Sequence, residues 1–345
     1  MAASTVSTQI QLVSHPVGWP TAADFRIVTV DLPDVAPGQV RVANEFISVD
    51  PYMRGRMNDV KSYIPPFVLG ETMTGGAVGR VVASASDAFA VGDMVTHQYG
   101  WRDLVQEDAS GFRVVAALSD VPFSAYLGVL GMTAFTAYVG LLEVAKLKEG
   151  DTVFVSGAAG AVGSMVGQIA RLKGATRVIG SAGSAEKVAL LTGKYGFDAA
   201  FNYKDGSITD QLAAAAAPDG IDVYFDNVGG EHLEAALARF NDGGRAAMCG
   251  AISLYNSTDV PTGPNNLSNI VTRGLTLTGF TVGNFWSNLP AFSAEMADWL
   301  AAGAIVFDET VIDGVENSVD AFLGLMRGEN TGKMVVRTGG FAPTP

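Results

Sequence analysis

A short apolar run, a glycine-rich turn and an amphipathic stretch follow one another at residues 152–172. The run Val153-Phe-Val155 is β-branched or aromatic and predicts a buried strand. After the turn, the apolar positions keep the spacing of one helical face: Val162, Met165, Val166, Ile169 and Ala170. The pattern therefore predicts a strand, a turn and a helix, with glycines at the start of the helix.

The second half of the chain continues this alternation. Strand candidates lie at residues 152–156, 177–180, 199–202, 222–226, 246–250 and 275–281. Helical stretches separate them, and residues 131–144 predict a further helix before the first strand. Strands that alternate with helices favour an α/β fold with a doubly wound parallel (Rossmann) sheet.

The first part of the chain is different, because its β-like runs are short and are broken by Gly, Pro and Asp. Examples are residues 24–30, 39–43 and 75–82. They predict a compact β-rich unit. Short strands return after about residue 302, and we expect this tail to rejoin the first unit. The expected domains are residues 1–125, completed by 302–345, and residues 126–301.

The glycine-rich turn suits a dinucleotide. Gly157, Gly160 and Gly163 are spaced G-x-x-G-x-x-G, which differs from the commoner G-x-G-x-x-G. Glycine permits unusual dihedral angles and close approach of the backbone to a pyrophosphate, whose charge then meets the N–H groups at the helix start. Turns collect glycine for other reasons too, so the flanking strand and helix carry this interpretation.

The next strand bears on the choice of cofactor. An NAD-type site normally places an acid near its end to hold the ribose 2′-hydroxyl, and none follows residues 177–180 here. Small residues at this strand end leave room for a 2′-phosphate instead. Lys187, Tyr203 and Lys204 follow in the chain and are the candidate groups that would bind it. This favours NADPH over NADH. The alternative for Lys187 is a solvated side chain at a helix start.

Two later strand ends also point to a ligand, since ligands of open α/β sheets bind beyond the carboxyl ends of the strands. Asn227 offers an amide to ribose hydroxyls, and Gly250 permits a close passage of the backbone. The alternative is a pair of ordinary turns rich in Asn and Gly.

Charge and cysteine content narrow the class of protein. The 345 residues carry a net charge of −13, which argues against a nucleic-acid or anionic-membrane partner. The N-terminus lacks the features of a secretory signal, and we expect a cytoplasmic protein. The single cysteine, Cys249, excludes an intramolecular disulfide, and the three histidines are scattered, so no metal site is expected.

Several motifs together resemble the zinc-independent medium-chain dehydrogenase/reductase superfamily, and within it the group of leukotriene B4 dehydrogenase, prostaglandin reductase, alkenal double-bond reductase and curcumin reductase. The likeness runs nearly end to end. It rests on Val49-Asp-Pro-Tyr-Met-Arg54, Gly157-Ala-Ala-Gly-Ala-Val-Gly-Ser164, Phe201-Asn-Tyr-Lys204, Tyr224-Phe-Asp-Asn-Val-Gly-Gly230, Cys249-Gly-Ala-Ile-Ser253 and Gly328-Glu-Asn-Thr-Gly-Lys333.

This resemblance implies a GroES-like first domain, a homodimer joined near residues 275–281, and a set of cofactor contacts. The pyrophosphate would lie at Gly160, Ala161, Val162 and Gly163, and the 2′-phosphate at Lys187 and Tyr203. The rest of the cofactor would be lined by Asn227, Cys249, Gly250, Ala251, Ile252, Ser253, Tyr255, Phe280, Thr281, Val282 and Asn330.

The chain also departs from the zinc-dependent and animal proteins of the superfamily that it resembles. Leu69-Gly-Glu71 stands where zinc alcohol dehydrogenases have Gly-His-Glu, and the histidine is absent. The loop at residues 54–63 looks closer to the bacterial curcumin-reductase branch, and it leaves the natural substrate open.

The inventory of side chains favours conjugate reduction by NADPH, with protein groups supplying position and polarity. Hydride would reach the β-carbon of a small hydrophobic α,β-unsaturated aldehyde or ketone, and the enolate would then be protonated. Tyr255 and Tyr52 are the candidate catalytic residues; each is otherwise an aromatic packing residue, and solvent is an alternative proton donor. Two other functions stay open: a zinc-free NADPH:quinone reductase and a non-catalytic NADPH-binding protein.

Overall fold

The computed structural model describes residues 5–116, 121–260 and 262–339, which form two compact units. One unit contains the described residues up to Leu127 together with those from Glu309 onward, and the other is Gly128–Asp308. The sequence-based junctions at residues 125 and 302 lie close to these bounds. Within the described residues, no helix is both long enough and apolar enough to cross a bilayer.

The first unit begins with short strands and one single-turn helix. Its elements are β1 (Val6–Leu12), β2 (Phe25–Asp31), β3 (Gln39–Ser48), α1 (Met53–Arg56), β4 (Ala77–Ser84), β5 (Met94–His97), β6 (Leu104–Asp108) and β7 (Phe112–Val114). Strands β1 and β2 form an antiparallel pair of their own.

The second unit alternates strands and helices as the pattern predicts. Its elements are α2 (Met132–Val139), β8 (Thr152–Val155), α3 (Ala161–Leu172), β9 (Arg177–Ala182), α4 (Ala185–Gly193), β10 (Ala199–Asn202), α5 (Ile208–Ala216), β11 (Ile221–Asp226), α6 (Gly230–Arg239), β12 (Phe240–Met248), α7 (Ser268–Thr272), β13 (Thr276–Gly279) and α8 (Leu289–Ala301).

These strands form a parallel sheet in the order β10-β9-β8-β11-β12-β13. The order is that of the doubly wound dinucleotide-binding sheet and confirms the predicted fold class. From β8 the chain adds strands on one side of the sheet, and from β11 it adds them on the other side. A ligand crevice is expected at such a switch point, at the carboxyl ends of β8 and β11. Val153, Phe154 and Val155 are fully buried, as expected for a parallel strand with helices on both faces.

The chain then returns to the first unit with β14 (Glu309–Asp313), α9 (Ser318–Met326) and β15 (Lys333–Arg337). Strand β15 pairs antiparallel with β3 and parallel with β14. The resulting sheet has the order β14-β15-β3-β4-β5-β7, with β6 also paired to β3. The tail of the chain therefore completes the sheet that contains the start of the chain.

Several predicted elements have different bounds in the structure, and two of the differences have a local explanation. Strand β12 begins at Phe240 rather than near residue 246, because a polar and glycine-containing segment with an irregular register precedes its apolar part. The helix predicted over residues 131–144 changes from α-helical to π-helical at Gly140. A Cβ on Gly140 would lie 2.6 Å from ring atoms of Phe225 and Phe280, so this turn packs directly on both rings.

Two buried histidines make stability sensitive to acid. Burial lowers the pKa of His232 from 6.5 to about 4, and burial together with Arg102 lowers that of His97 to about 3. The folded state keeps both rings neutral, whereas the unfolded chain protonates them near pH 6.5. The free energy of unfolding should therefore fall as the pH drops below about 6.5.

His232→Phe should remove part of this acid sensitivity, because phenylalanine preserves the ring that stacks on Phe154 and cannot be protonated. We expect the loss of stability between pH 6.5 and 4 to shrink by up to about 3 kcal/mol. Urea unfolding at pH 7 and near pH 4.5 measures the difference. An unchanged pH dependence in the variant would contradict the assignment.

Candidate cofactor and catalytic site

The glycine-rich turn connects β8 to α3 and requires its glycines. Gly157 has φ +60°, in the left-handed region. A Cβ on Gly163 would lie 2.4 Å from the Gly157 carbonyl oxygen and 2.7 Å from the Ala158 Cα, so the first turn of α3 rests directly on the preceding backbone. A side chain larger than hydrogen at residue 163 would force this backbone apart.

The start of α3 has the polarity that an anion needs. Gly160 is the N-cap and supplies no side-chain acceptor. The main-chain N–H groups of Ala161, Val162 and Gly163 have no acceptor within the helix and lie at the positive end of its 12 residues. The residues present therefore fit the pyrophosphate of a dinucleotide, which binds at such helix starts.

The end of β9 offers a second group of cations and hydroxyls. Ser181 is fully buried, and its Oγ has no hydrogen-bond partner among the described residues. A Cβ on Gly183 would lie 3.1 Å from the Tyr203 hydroxyl, so the hydroxyl packs closely against this glycine. Lys187 lies in the first turn of α4, whose N-cap is Ser184.

Lys187 and Lys204 are close enough to interact electrostatically. Burial lowers the pKa of Lys187, and the positive charge of Lys204 lowers it further. The Lys204 ammonium also lies 5.8 Å from the centre of the Tyr203 ring. Two cations and a phenolic hydroxyl at the end of a strand that carries no acid have the chemistry required by a phosphate dianion.

The ends of β11 and β12 are joined by main-chain hydrogen bonds. The N–H groups of Cys249 and Gly250 both donate to the Asp226 carbonyl oxygen, at 2.9 Å each, and Ile252 N–H donates to the Asn227 carbonyl at 3.3 Å. The Ser253 hydroxyl donates to the Val228 carbonyl at 2.6 Å. Residues 226–228 and 249–253 therefore form one hydrogen-bonded layer at the carboxyl edge of the sheet.

The Asp226 carboxylate organises this layer, and sequence reasoning did not assign it a role. Its Oδ1 accepts from the N–H groups of Val228 (2.9 Å) and Gly229 (2.7 Å) and from the Tyr224 hydroxyl (2.7 Å). Burial raises the pKa of Asp226, while these hydrogen bonds lower it. An acid at the end of a fully buried strand, followed directly by an Asn-Val-Gly-Gly turn, is the sequence signal that would have identified it.

Asn227 lies at the predicted strand end, but its amide nitrogen is already used. Asn227 Nδ2 donates to the Ser156 carbonyl at 2.8 Å, and Asn227 N–H donates to the Ser156 hydroxyl at 3.0 Å. These bonds tie the end of β11 to the end of β8. The side-chain oxygen of Asn227, an acceptor, is then the group best placed for a ribose hydroxyl.

Tyr255 follows the 3₁₀ turn Ile252–Leu254, and its hydroxyl lies over Gly250. A Cβ on Gly250 would be 3.2 Å from that hydroxyl and 3.3 Å from the Asn227 carbonyl oxygen. Burial raises the pKa of Tyr255, although a hydrogen bond with the Ala251 backbone partly opposes this. Tyr255 is therefore a neutral hydroxyl, able to donate, at the carboxyl edge of the sheet.

Cys249 is next to this edge but is not an activated thiol. Burial, reinforced by the Asp226 charge, raises the pKa of the Cys249 thiol to about 12. The thiolate that a nucleophile requires is therefore disfavoured near neutral pH.

The remaining predicted cofactor residues of the second unit follow β13. The Phe280 ring packs edge-on against Phe225 (6.3 Å between centroids) and Phe285 (6.2 Å). Thr281 and Val282, both half-buried, begin the 3₁₀ segment Val282–Asn288. These residues extend the carboxyl edge of the sheet beyond β12.

Tyr52 and Asn330 belong to the first unit. Asn330 is buried and donates from Nδ2 to the Gly332 carbonyl at 2.8 Å. Tyr52 is the N-cap residue of α1. Two residues earlier, Asp50 forms a buried ion pair, with its Oδ1 3.0 Å from Lys333 Nζ. Burial and the charge of Asp50 raise the pKa of Tyr52 well above its usual range.

Among the described residues, no group of three or more His, Cys, Asp or Glu side chains is arranged to hold a metal ion. Gly70 in the Leu69-Gly-Glu71 segment has φ +80°.

Comparison with known proteins gives two family matches and several relatives of full length. Residues 8–115 match the N-terminal domain of oxidoreductases, and residues 161–301 match the domain named zinc-binding dehydrogenase. The NADPH-dependent curcumin reductase of Escherichia coli (strain K12) is 41% identical over 95% of this chain and 96% of that protein. The NADP(+)-dependent 2-alkenal reductase of Nicotiana tabacum is 40% identical over 97% and 98% of the two chains.

A solved structure is similar over nearly the same length. The crystal structure of CurA from Vibrio vulnificus in complex with NADPH superposes with a TM-score of 0.91 and 43% identity. It covers 96% of this chain and 99% of the other.

Proposed function

The chain belongs to the zinc-independent group of medium-chain dehydrogenases and reductases, and from this membership we propose that it uses NADPH to reduce the carbon–carbon double bond of α,β-unsaturated aldehydes and ketones. The observation that carries the proposal is the neutral Tyr255 hydroxyl held over Gly250, on the same sheet edge as the glycine turn. The homodimer joined through β13 and the cytoplasmic location stay predictions.

The proposed cofactor contacts fall into three groups, for the pyrophosphate, for the 2′-phosphate and for the rest of the dinucleotide. The start of α3 holds the pyrophosphate at Gly160–Gly163, and Lys187 with Tyr203 holds the 2′-phosphate. The remaining contacts are Asn227, Cys249–Ser253, Tyr255, Phe280–Val282 and Asn330. When bound, NADPH supplies a hydride for the β-carbon of the substrate.

The protein groups act on the oxygen at the other end of the conjugated system. As the β-carbon gains hydride, the electron pair of the double bond moves to the carbonyl oxygen and forms an enolate. A hydroxyl that is already oriented stabilises this charge as it develops. We propose Tyr255 for this role, with Tyr52 of the first unit as the other candidate, because burial keeps both hydroxyls protonated. A proton on the α-carbon completes the reaction.

Lys187→Ala should weaken the binding of NADPH and leave that of NADH almost unchanged. A charge-assisted hydrogen bond to phosphate contributes about 1.5–3 kcal/mol, so the Kd for NADPH should rise roughly 10- to 150-fold. Fluorescence titration with both cofactors measures this. Equal affinities of the parent protein for NADH and NADPH, with no effect of the substitution, would remove the proposed 2′-phosphate site.

The proposed reaction is tested by following NADPH consumption with a panel of enals, enones and quinones and by identifying the products by NMR. We expect saturated aldehydes and ketones that retain the carbonyl group. Rapid turnover of quinones without turnover of enones would instead make the protein a quinone reductase. Tight binding of NADPH without its oxidation by any of these compounds would make it a non-catalytic binding protein.

A further inference from the structure

Tyr203, the aromatic residue among the proposed 2′-phosphate contacts, is held by neighbours from three segments of the second unit. It follows β10, and its main-chain N–H donates to the Ala182 carbonyl, at the end of β9, at 3.1 Å. Its hydroxyl packs against Gly183, where a Cβ would lie 3.1 Å from the oxygen. These contacts fix the backbone and the tip of the side chain, and a third neighbour, His232, contacts the ring itself.

His232 lies in the first turn of α6 and packs edge-to-face with the Tyr203 ring. The ring centroids are 5.3 Å apart and the ring planes meet at 72°, a geometry that aromatic pairs prefer. His232 is also nearly parallel to the Phe154 ring of β8, with an angle of 13° and 6.5 Å between the centroids. Tyr203 is 39% exposed, whereas His232 is 4% and Phe154 0% exposed. His232 therefore connects an exposed tyrosine to the buried core of the unit.

The His232 side chain offers Tyr203 packing rather than charge. Its main-chain N–H donates to the Gly229 carbonyl at 3.2 Å, which ties the start of α6 to the turn after β11. Its Nε2 is buried and has no hydrogen-bond partner among the described residues. Burial lowers the pKa of His232 to about 4, so the ring is neutral near pH 7 and adds no positive charge for a phosphate.

We propose that His232 is a positioning residue for cofactor selectivity, which holds the Tyr203 ring so that its hydroxyl and the Lys187 ammonium bind the 2′-phosphate together. Ordering a mobile side chain on binding costs free energy, and a side chain that is already ordered avoids this cost. The benefit applies to NADPH and not to NADH, which has no 2′-phosphate. This inference rests on the proposed function, because it takes Tyr203 as a contact of that phosphate.

The adenosine fragments 2′,5′-ADP and 5′-AMP test the proposal, because they differ only in the 2′-phosphate. His232→Ala should raise the Kd for 2′,5′-ADP about fivefold, the effect of losing about one aromatic pair, and that for 5′-AMP less than about twofold. His232→Phe keeps a ring at this position and should restore the Kd for 2′,5′-ADP to within about twofold of the parent value. NMR titration measures both affinities. An unchanged Kd for 2′,5′-ADP in His232→Ala, or equal increases for both ligands, would overturn the proposal.

A double-mutant cycle tests whether His232 acts through Tyr203. In the Tyr203→Ala background, His232→Ala should change the Kd for 2′,5′-ADP less than about twofold. The same loss in both backgrounds would show that His232 acts by another route and would reject the positioning role. If His232→Ala does not fold, His232→Leu, which fills the space without an aromatic ring, replaces it in the cycle.

Phe292→Ala is the matched control for the loss of a buried ring. Phe292 is 1% exposed, packs on Phe135 and Tyr138 of the same unit, and is not among the proposed cofactor or catalytic residues. This variant should lose stability, by about 3–5 kcal/mol, and leave the ratio of the Kd values for 2′,5′-ADP and 5′-AMP unchanged. A ratio that fell as far as in His232→Ala would attribute the effect to general destabilisation.

Fluorine NMR of 3-fluorotyrosine-labelled protein separates this inference from the proposed phosphate contact. The resonance that Tyr203→Phe removes belongs to Tyr203, and it should shift in His232→Ala but not in Phe292→Ala. An unmoved resonance would reject the positioning of Tyr203 by His232, whatever the affinities. If the resonance moves but Tyr203→Ala leaves the Kd for 2′,5′-ADP unchanged, the proposed 2′-phosphate contact fails, and His232 is left with a structural role alone.

Discussion

Gly163→Ala is expected to raise the Kd for NADPH by about 100-fold, because moving the start of α3 disturbs several charge-assisted hydrogen bonds of about 1.5–3 kcal/mol each. The new Cβ would lie 2.4 Å from the Gly157 carbonyl oxygen and 2.7 Å from the Ala158 Cα. Both are backbone atoms, so the collision cannot be relieved by a side-chain rotation. Calorimetric titration with NADPH measures the loss.

The same substitution should also lower stability, since overpacking typically costs about 1–3 kcal/mol. Gly193→Ala is the matched control. This glycine lies in α4, and a Cβ there would meet no atom within 4 Å. It should stabilise the helix by up to about 1 kcal/mol and leave NADPH binding unchanged. If the two variants bound NADPH equally well, the close packing of α3 on the turn would have no role in binding.

Tyr255→Phe should lower kcat for enone reduction by about 100-fold, the loss typical of removing one donor to a developing oxyanion. Phenylalanine retains the aromatic ring and removes only the hydroxyl over Gly250, so the Kd for NADPH should change little. The loss arises because the enolate oxygen is left without the neutral hydroxyl that burial maintains. Steady-state kinetics with one enone, combined with cofactor titration, separates the two effects.

Tyr195→Phe controls for the general loss of a buried tyrosine hydroxyl. Tyr195 donates to Asp308 and is not among the proposed cofactor or catalytic residues. This variant should lose stability, by about 1.5–3 kcal/mol for one hydrogen bond to a carboxylate, and retain kcat. If Tyr255→Phe retained the parent kcat and KM, Tyr255 would lose its donor role, and Tyr52 would be left as the candidate.

Local patterns were sufficient to predict the architecture of the second unit. The apolar residues of β8 and the helical spacing of α3 are short-range signals, because burial and periodicity act on neighbouring residues. The alternation of strands and helices then restricts the sheet to a few topologies. The bounds of β12 were harder to predict, because residues 241–245 are polar or glycine and their register against β11 is irregular.

The chemical types of the site were also present in the sequence. The glycine spacing and the missing acid after β9 indicated an NADPH site, and the comparisons with NADP-dependent relatives agree. The predicted contact residues themselves remain to be tested by the substitutions above. Sequence could not reveal that the amide nitrogen of Asn227 is bonded to Ser156, because that bond joins two strand ends 71 residues apart.

Sequence alone therefore determined the alternating strands and helices of the second unit and the types of residue that suit NADPH. Both depend on residues that are close together along the chain. Tertiary structure decided which groups meet. Lys333 reaches Asp50 across 283 residues, and Arg56 is fixed by Phe67 and Thr74 from other segments. Such contacts depend on how strands pair and loops close, and no local pattern records them.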